Sequence, residues 1–135
     1  MIILDWDDTL FCTSHLSGLR IDHPSQMPVP LAAKIKEIDI KASKLLGTAL
    51  ELAEVQIVTN SLTGWVHYCA RSFMPQVLKI IEGFKIKVVS ARAAYEDIYP
   101  GDPQKWKTEC FCEILEGIEK RRVALNFICI GDSKY

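Results

Sequence analysis

Three carboxylates fall within four positions in the segment Asp5-Trp6-Asp7-Asp8-Thr9, directly behind the apolar residues 1–4, MIIL. Four apolar residues in a row, including β-branched Ile2 and Ile3, read as a strand buried on both faces. Acids crowded at the end of such a strand repel one another, unless they form a solvated turn or a positive charge lies among them. Polar residues recur in equivalent places. VQIV runs into Thr59-Asn60-Ser61, KVV into Ser90-Ala91-Arg92, and FICI into Gly131-Asp132-Ser133. Ligands of open parallel α/β sheets bind in the crevice beyond the carboxyl ends of the strands, so these clusters should share one rim. Asp5 and Asp7 are two apart and would project to the same side of an extended chain, with Asp132 reaching that edge from another strand. A hard divalent cation relieves such a cluster. Mg²⁺ is the simplest choice, because it binds through one or two carboxylates, waters and a substrate phosphate. A lysine is the other cation to expect.

The elements that must position these groups can be read from periodicity. Strands are expected at 1–4, 55–58, 85–89 and 123–130, where short apolar runs are bounded by turn-forming or charged residues. Residues 31–53 place Leu31, Ile35, Ile38, Leu45, Ala49 and Leu52 roughly on one helical face, just behind Pro28 and Pro30. A second helical region spans 62–82, interrupted at Pro75 and ended by Gly83. Asp102 and Pro103 suit the N-cap and first position of a third helix running through Arg122. Residues 9–30 lack a helical pattern and read as a loop or small β excursion, and 90–102 as a short loop. Strands alternating with helices imply an α/β domain with a Rossmann-like parallel sheet and helices on both faces. With 135 residues and no repeat or linker, 1–135 reads as one domain. The abrupt stop after the last strand suggests truncation at the C-terminus.

Composition removes several function classes. A net charge of -1 offers no field for nucleic acid or an anionic membrane. No apolar run is long enough for a membrane span and Asp5 interrupts any secretory leader, so a cytoplasmic protein is the expectation. The five cysteines lack a C-x-x-C pair and read as reduced, mostly buried thiols. His15, His23 and His67 show no metal-ligand spacing among themselves.

Asp5-x-Asp7-x-Thr9 after an apolar strand resembles motif I of the haloacid dehalogenase (HAD) superfamily. Thr59-Asn60 resembles motif II, Lys107 or Lys105 motif III, and Gly131-Asp132 the start of motif IV. The resemblance covers essentially the whole chain in the family's order. It implies that Asp5 would be the nucleophile that accepts a phosphoryl group, and Asp7 the acid and then base, protonated near neutral pH through neighbouring like charge. By the same resemblance Mg²⁺ would sit on Asp5, the Asp7 backbone carbonyl and Asp132. Thr59 and Asn60 would bind phosphate oxygens together with a lysine, Lys107 being preferred to Lys105 because it lies a few residues before an aromatic, Phe111. The function implied is phosphomonoester hydrolysis. Neither interval that carries caps in that superfamily is long enough here for one, and an open site suits a phosphorylated substrate as large as a protein. The rival reading is a degenerate module that binds a metal or partner in the same acidic crevice.

Some neighbours have plainer roles. Asp8 should turn away to partner a turn or helix amide, Trp6 should pack into the core, and Thr9 is divided evenly between a motif I role in the site and capping the turn behind Asp7. Arg92 is divided between phosphate contact and a surface ion pair. Trp65 reads as packing at the start of its helix, with a lesser chance of lining the substrate entry. Tyr95, Tyr99 and Trp106 could wall a groove beside the lysine.

Overall fold

The computed structural model describes residues 1–120 and 126–132. Among these the sheet has four strands, all parallel: β1 (Ile2–Leu4), β2 (Val55–Thr59), β3 (Lys87–Ser90) and β4 (Ile128–Ile130), in the order β3-β2-β1-β4. The chain therefore steps from β1 outward through β2 to β3, then returns to the other side of β1. The reversal point lies between the carboxyl ends of β1 and β4, where doubly wound sheets open a ligand crevice.

Alternation along the strands divides the interior into two layers. Ile2, Leu4, Val55 and Ile57 face a core built with α2 (Val29–Leu52), α3 (Trp65–Phe73) and α4 (Pro75–Gly83). Ile3 and Val58 face the opposite core, which includes Ala91 of α5 (Ala91–Tyr95) and Trp106, Cys110 and Ile118 of α6 (Pro103–Glu119). Both faces are covered, as the Rossmann-like expectation required. No described helix is long and apolar enough to cross a membrane.

Differences from the sequence expectations are local. Residues 9–30 are not all loop: they hold the short helix α1 (Thr13–Gly18) and a 3₁₀ turn (Pro24–Gln26). Local capping replaces periodicity there. Asp8 accepts from the Ser14 amide and hydroxyl, while His23 and Gln26 close a capping box behind Pro24. The 90–102 segment likewise contains α5, capped by the Ser90 hydroxyl on the Ala93 amide. Helix α4 ends at Gly83, as expected, with Phe84 in the C-cap position, and α3 and α4 meet at Met74 as Pro75 demands. Strand β4 covers 128–130 of the expected 123–130, and Ile128 and Ile130 are exposed instead of buried. The expected strand start at 123–125, the helix end at Arg122 and Ser133 lie outside the described residues.

One long-range device fixes the helical layer. Asp39, buried in the middle of α2, accepts from the amides of Gln76 at 3.1 Å and Val77 at 2.9 Å. These amides belong to the first turn of α4, which has no partner for them within its own helix. Met74, in the N-cap position, supplies no side-chain cap, so Asp39 does so from another helix.

Candidate active site

Asp5 stands one residue beyond β1, its amide donating to the Ile130 carbonyl at 2.9 Å. Its carboxyl is 7% exposed and accepts from its neighbour's amide, Trp6 N, at 2.8 Å on Oδ1. On Oδ2 it accepts from the ammonium of Lys107, itself 2% exposed. Lys107 reaches this place because α6 buries the stripe that also carries Cys110, and Asp102 fixes the helix start by accepting from the Lys105 amide at 3.0 Å. Lys105, two residues earlier, points outward into a pair with Glu109 at 2.7 Å.

From the other side of Asp5 comes Gly131. A Cβ there would lie 3.3 Å from the Asp5 Cβ and 3.6 Å from Oδ2, so only glycine lets the β4 backbone approach this carboxylate without displacement. Asp132 follows, close enough for its charge to act on Asp5. Burial raises the Asp5 pKa above the ordinary value. The Lys107 bond and charge and the Trp6 amide oppose that rise, and Asp132 adds to it.

Asp7 is held differently. Its Oδ1 accepts from Thr13 Oγ1 at 2.6 Å and Trp65 Nε1 at 2.9 Å; its Oδ2 accepts from Thr59 Oγ1 at 2.7 Å and Ser61 Oγ at 2.8 Å. Burial favours the neutral acid, but these donors outweigh it and the pKa falls below the ordinary value. The expectation of a protonated Asp7 is therefore reversed for the resting site, because hydroxyl and indole donors, not carboxylates, surround it. Its carboxyl is also no candidate metal ligand with so many donors on it, which leaves the backbone carbonyl of Asp7 for that role.

The expected phosphate groups are both engaged. Thr59, 1% exposed, directs its hydroxyl proton to Asp7 and accepts from the Ser61 amide at 2.9 Å. Asn60 donates through Nδ2 to the Pro103 carbonyl at 3.1 Å, tying the end of β2 to the start of α6, while its buried Oδ1 has no partner among the described residues. Asp8 is turned away from Asp5 and Asp7 into its bonds with Ser14, with a φ of 57° that Asp tolerates better than most residues. Trp6 lies fully in the core against Phe11. The Thr9 hydroxyl is buried without a partner among the described residues. Arg92 forms a two-pronged ion pair with Glu96 at 2.8 Å and sits 5.7 Å from the Trp106 ring, so it is the surface pair and not a crevice group.

Ser61 and Gly131 belonged to the expected rim without a stated role, and the bonds of Thr13 and Trp65 to Asp7 were not foreseen from the sequence. Thr13 and Trp65 meet Asp7 only through the fold, across 6 and 58 positions. Gly131 carried a signal, since a glycine against a strand end beside an acid marks close approach.

Among the described residues no group of three or more His, Cys, Asp or Glu side chains could hold a metal ion by itself. Asp5 and Asp132, the second near enough for its charge to act on the first, still offer hard oxygen donors, and the Asp7 carbonyl oxygen is of the same kind. That set fits an ion completing its shell with water and phosphate, as Mg²⁺ does, and does not fit a caged site for a softer metal. The thiols add nothing to it. Burial pushes Cys69 up to about 12 and Cys110 up to about 11, while Cys112 and Cys129 are exposed, contrary to the buried reading. Compared with protein-family models, curated proteins and solved structures, the chain has no match.

Proposed function

We propose that this chain is a Mg²⁺-dependent phosphatase of HAD type, hydrolysing phosphomonoesters through a phosphorylated Asp5. The observation that carries the reading is the buried Asp5–Lys107 pair, seated at the reversal point of the sheet within reach of the Asp132 charge. A lysine inside the crevice neutralises one of the carboxylates and would also meet the incoming phosphate group. A structural ion pair would need neither a third carboxylate nor the strand-end position.

The chemistry follows from the groups. The Asp5 carboxylate attacks phosphorus in line, the bond to the ester oxygen breaks, and Lys107 offsets charge on the transferring oxygens. Mg²⁺ held by Asp5, the Asp7 carbonyl and Asp132 would supply further charge neutralisation for that transfer. Asp7 handles the proton. In its ionised form it accepts a proton from the water that attacks the Asp5 phosphate, breaking the bond to Asp5 and releasing inorganic phosphate. The proton it gives to the leaving oxygen in the first half arrives with the substrate, since a phosphomonoester has its second pKa at about 6.

A second reading, a degenerate crevice that binds a metal or partner without turnover, draws on one observation: the Thr59 and Asp7 side chains engage each other instead of standing open to phosphate. The two separate by assay. Wild-type protein with Mg²⁺ should release inorganic phosphate from phenyl phosphate or an alkyl phosphate, and Asp5→Asn should lower the rate by about a thousandfold or more while circular dichroism is unchanged. Unaltered hydrolysis by Asp5→Asn sinks the nucleophile assignment. Mg²⁺ binding with no phosphate release favours the degenerate module.

A further inference from the structure

Beside Asp7 the surface opens into a cleft of about 310 Å³ between α1 and α3. Its walls are Phe11, Leu16, Ile21, Trp65, Tyr68 and Phe73, and Arg20 and Asp22 also line it. The Trp65 and Tyr68 rings stack with centroids 5.9 Å apart, and the Tyr68 hydroxyl holds the loop by donating to the Asp22 carbonyl at 2.9 Å. Two wall residues, Thr13 and Trp65, are also the donors to Asp7 Oδ1. The cleft thus adjoins the group assigned to the leaving oxygen. Whatever substituent that oxygen carries lies next to these rings.

We propose that this cleft receives the aromatic ring of an aryl phosphomonoester, making Phe11, Trp65 and Tyr68 specificity-determining residues for the phosphatase reading above, on which the inference rests. Size and chemistry both favour a ring. An apolar cavity of about 150 Å³ accommodates benzene in another protein, so 310 Å³ holds a phenol ring with part of what it is attached to. Rings pack against aromatic walls in offset or edge-on contact, a gain beyond area burial. A small alkyl ester would leave those faces wet, and a sugar would present hydroxyls to walls that are largely carbon. The Arg20 and Asp22 side chains can meet the amide or charged groups of a tyrosine carrying the phosphate.

The test uses binding as well as turnover. Phenylphosphonate and methylphosphonate, which cannot be hydrolysed, are titrated with Mg²⁺ into the wild-type protein and Ser17→Phe. Ser17 is an exposed residue of α1 lining the cleft, so the larger ring fills the space without entering the core. Phenylphosphonate is expected to bind at least tenfold tighter than methylphosphonate, and Ser17→Phe to cut that ratio below threefold; in parallel, the kcat/KM ratio for phenyl over methyl phosphate should fall in Ser17→Phe and Tyr68→Ala. Equal affinity for the two phosphonates in the wild type overturns the inference, as does a ratio that survives Ser17→Phe. Hydrolysis of both esters with no aryl preference overturns the cleft while leaving the phosphatase reading standing. Aryl-selective binding without any hydrolysis keeps the cleft and removes the phosphatase. Free phosphotyrosine and phosphotyrosine in a blocked peptide then sort the two sources of the ring, and faster turnover of either retains the ring in the cleft.

Discussion

Replacing Lys107 by Met removes a cation from a place where water cannot substitute for it. Asp5 and Lys107 are 7% and 2% exposed, so the variant leaves a buried carboxylate with the Trp6 amide and no ammonium, still beside Asp132. Breaking a buried pair by removing one partner costs roughly 3–5 kcal/mol. That is a large share of the roughly 5–15 kcal/mol typical of a domain. The penalty should depend on pH in a defined direction. Burial already raises the Asp5 pKa, and losing the lysine raises it further. A carboxyl whose folded pKa is raised contributes stability that is fully present below its unfolded value, near 3.8, and lost as pH rises through the folded value. The deficit of Lys107→Met relative to wild type should therefore be smallest near pH 4 and grow toward pH 7. Urea unfolding followed by tryptophan fluorescence at several pH values reads this directly. Asp5→Asn combined with Lys107→Met should recover much of the loss, giving a coupling on the order of 2 kcal/mol. A loss under about 1 kcal/mol at pH 7, a flat pH dependence, or additive single-site effects would refute the buried pair.

Two other perturbations test separate parts of the structure. Asp39→Ala should destabilise the fold by about 1–3 kcal/mol, the cost of stranding buried amides at the start of α4; an unchanged urea midpoint would mean that those amides find water. Trp65→Phe removes a donor to Asp7 Oδ1, so the Asp7 carboxyl should titrate at higher pH than in the wild type, read by carbon NMR of labelled aspartate; a midpoint that stays put would show that Trp65 does not hold the ionised form.

The rim itself was legible because strand ends are written locally. An apolar run followed by polar residues marks both the strand and its carboxyl end, and in a parallel sheet all such ends lie together. Lys107 was picked out by the resemblance alone, as the lysine a few residues before Phe111, and the buried stripe it shares with Cys110 came only with the structure. Short capped elements were not legible. Helices α1 and α5 owe their existence to Asp8 and Ser90 capping turns too brief for hydrophobic periodicity to register. The surroundings of Asp7 were likewise hidden. Its donors come from α1, the loop after β2 and the start of α3, and no sequence spacing joins those places.

Those hidden donors change how the two acids divide their work. Spacing put Asp5 and Asp7 on the same side of the chain, and the resemblance implied an Asp7 kept protonated by neighbouring like charge. Instead each acid has its own surroundings: Asp5 meets an ammonium and Gly131 just after β4, and Asp7 meets hydroxyls and an indole. Their pKa values separate in the opposite sense, Asp5 raised and Asp7 lowered. Uncharged donors keep Asp7 ionised, the state from which a base must start, although they also weaken its basicity, while burial makes an ionised Asp5 less well solvated and so a better nucleophile. The cation that would restore ionisation of Asp5 is therefore expected to act on Asp5 alone. Adding Mg²⁺ should lower the Asp5 titration midpoint and leave that of Asp7 nearly in place, a distinction that the same carbon NMR titration resolves. Equal shifts of both carboxyls would place the ion between them and overturn the separation of roles.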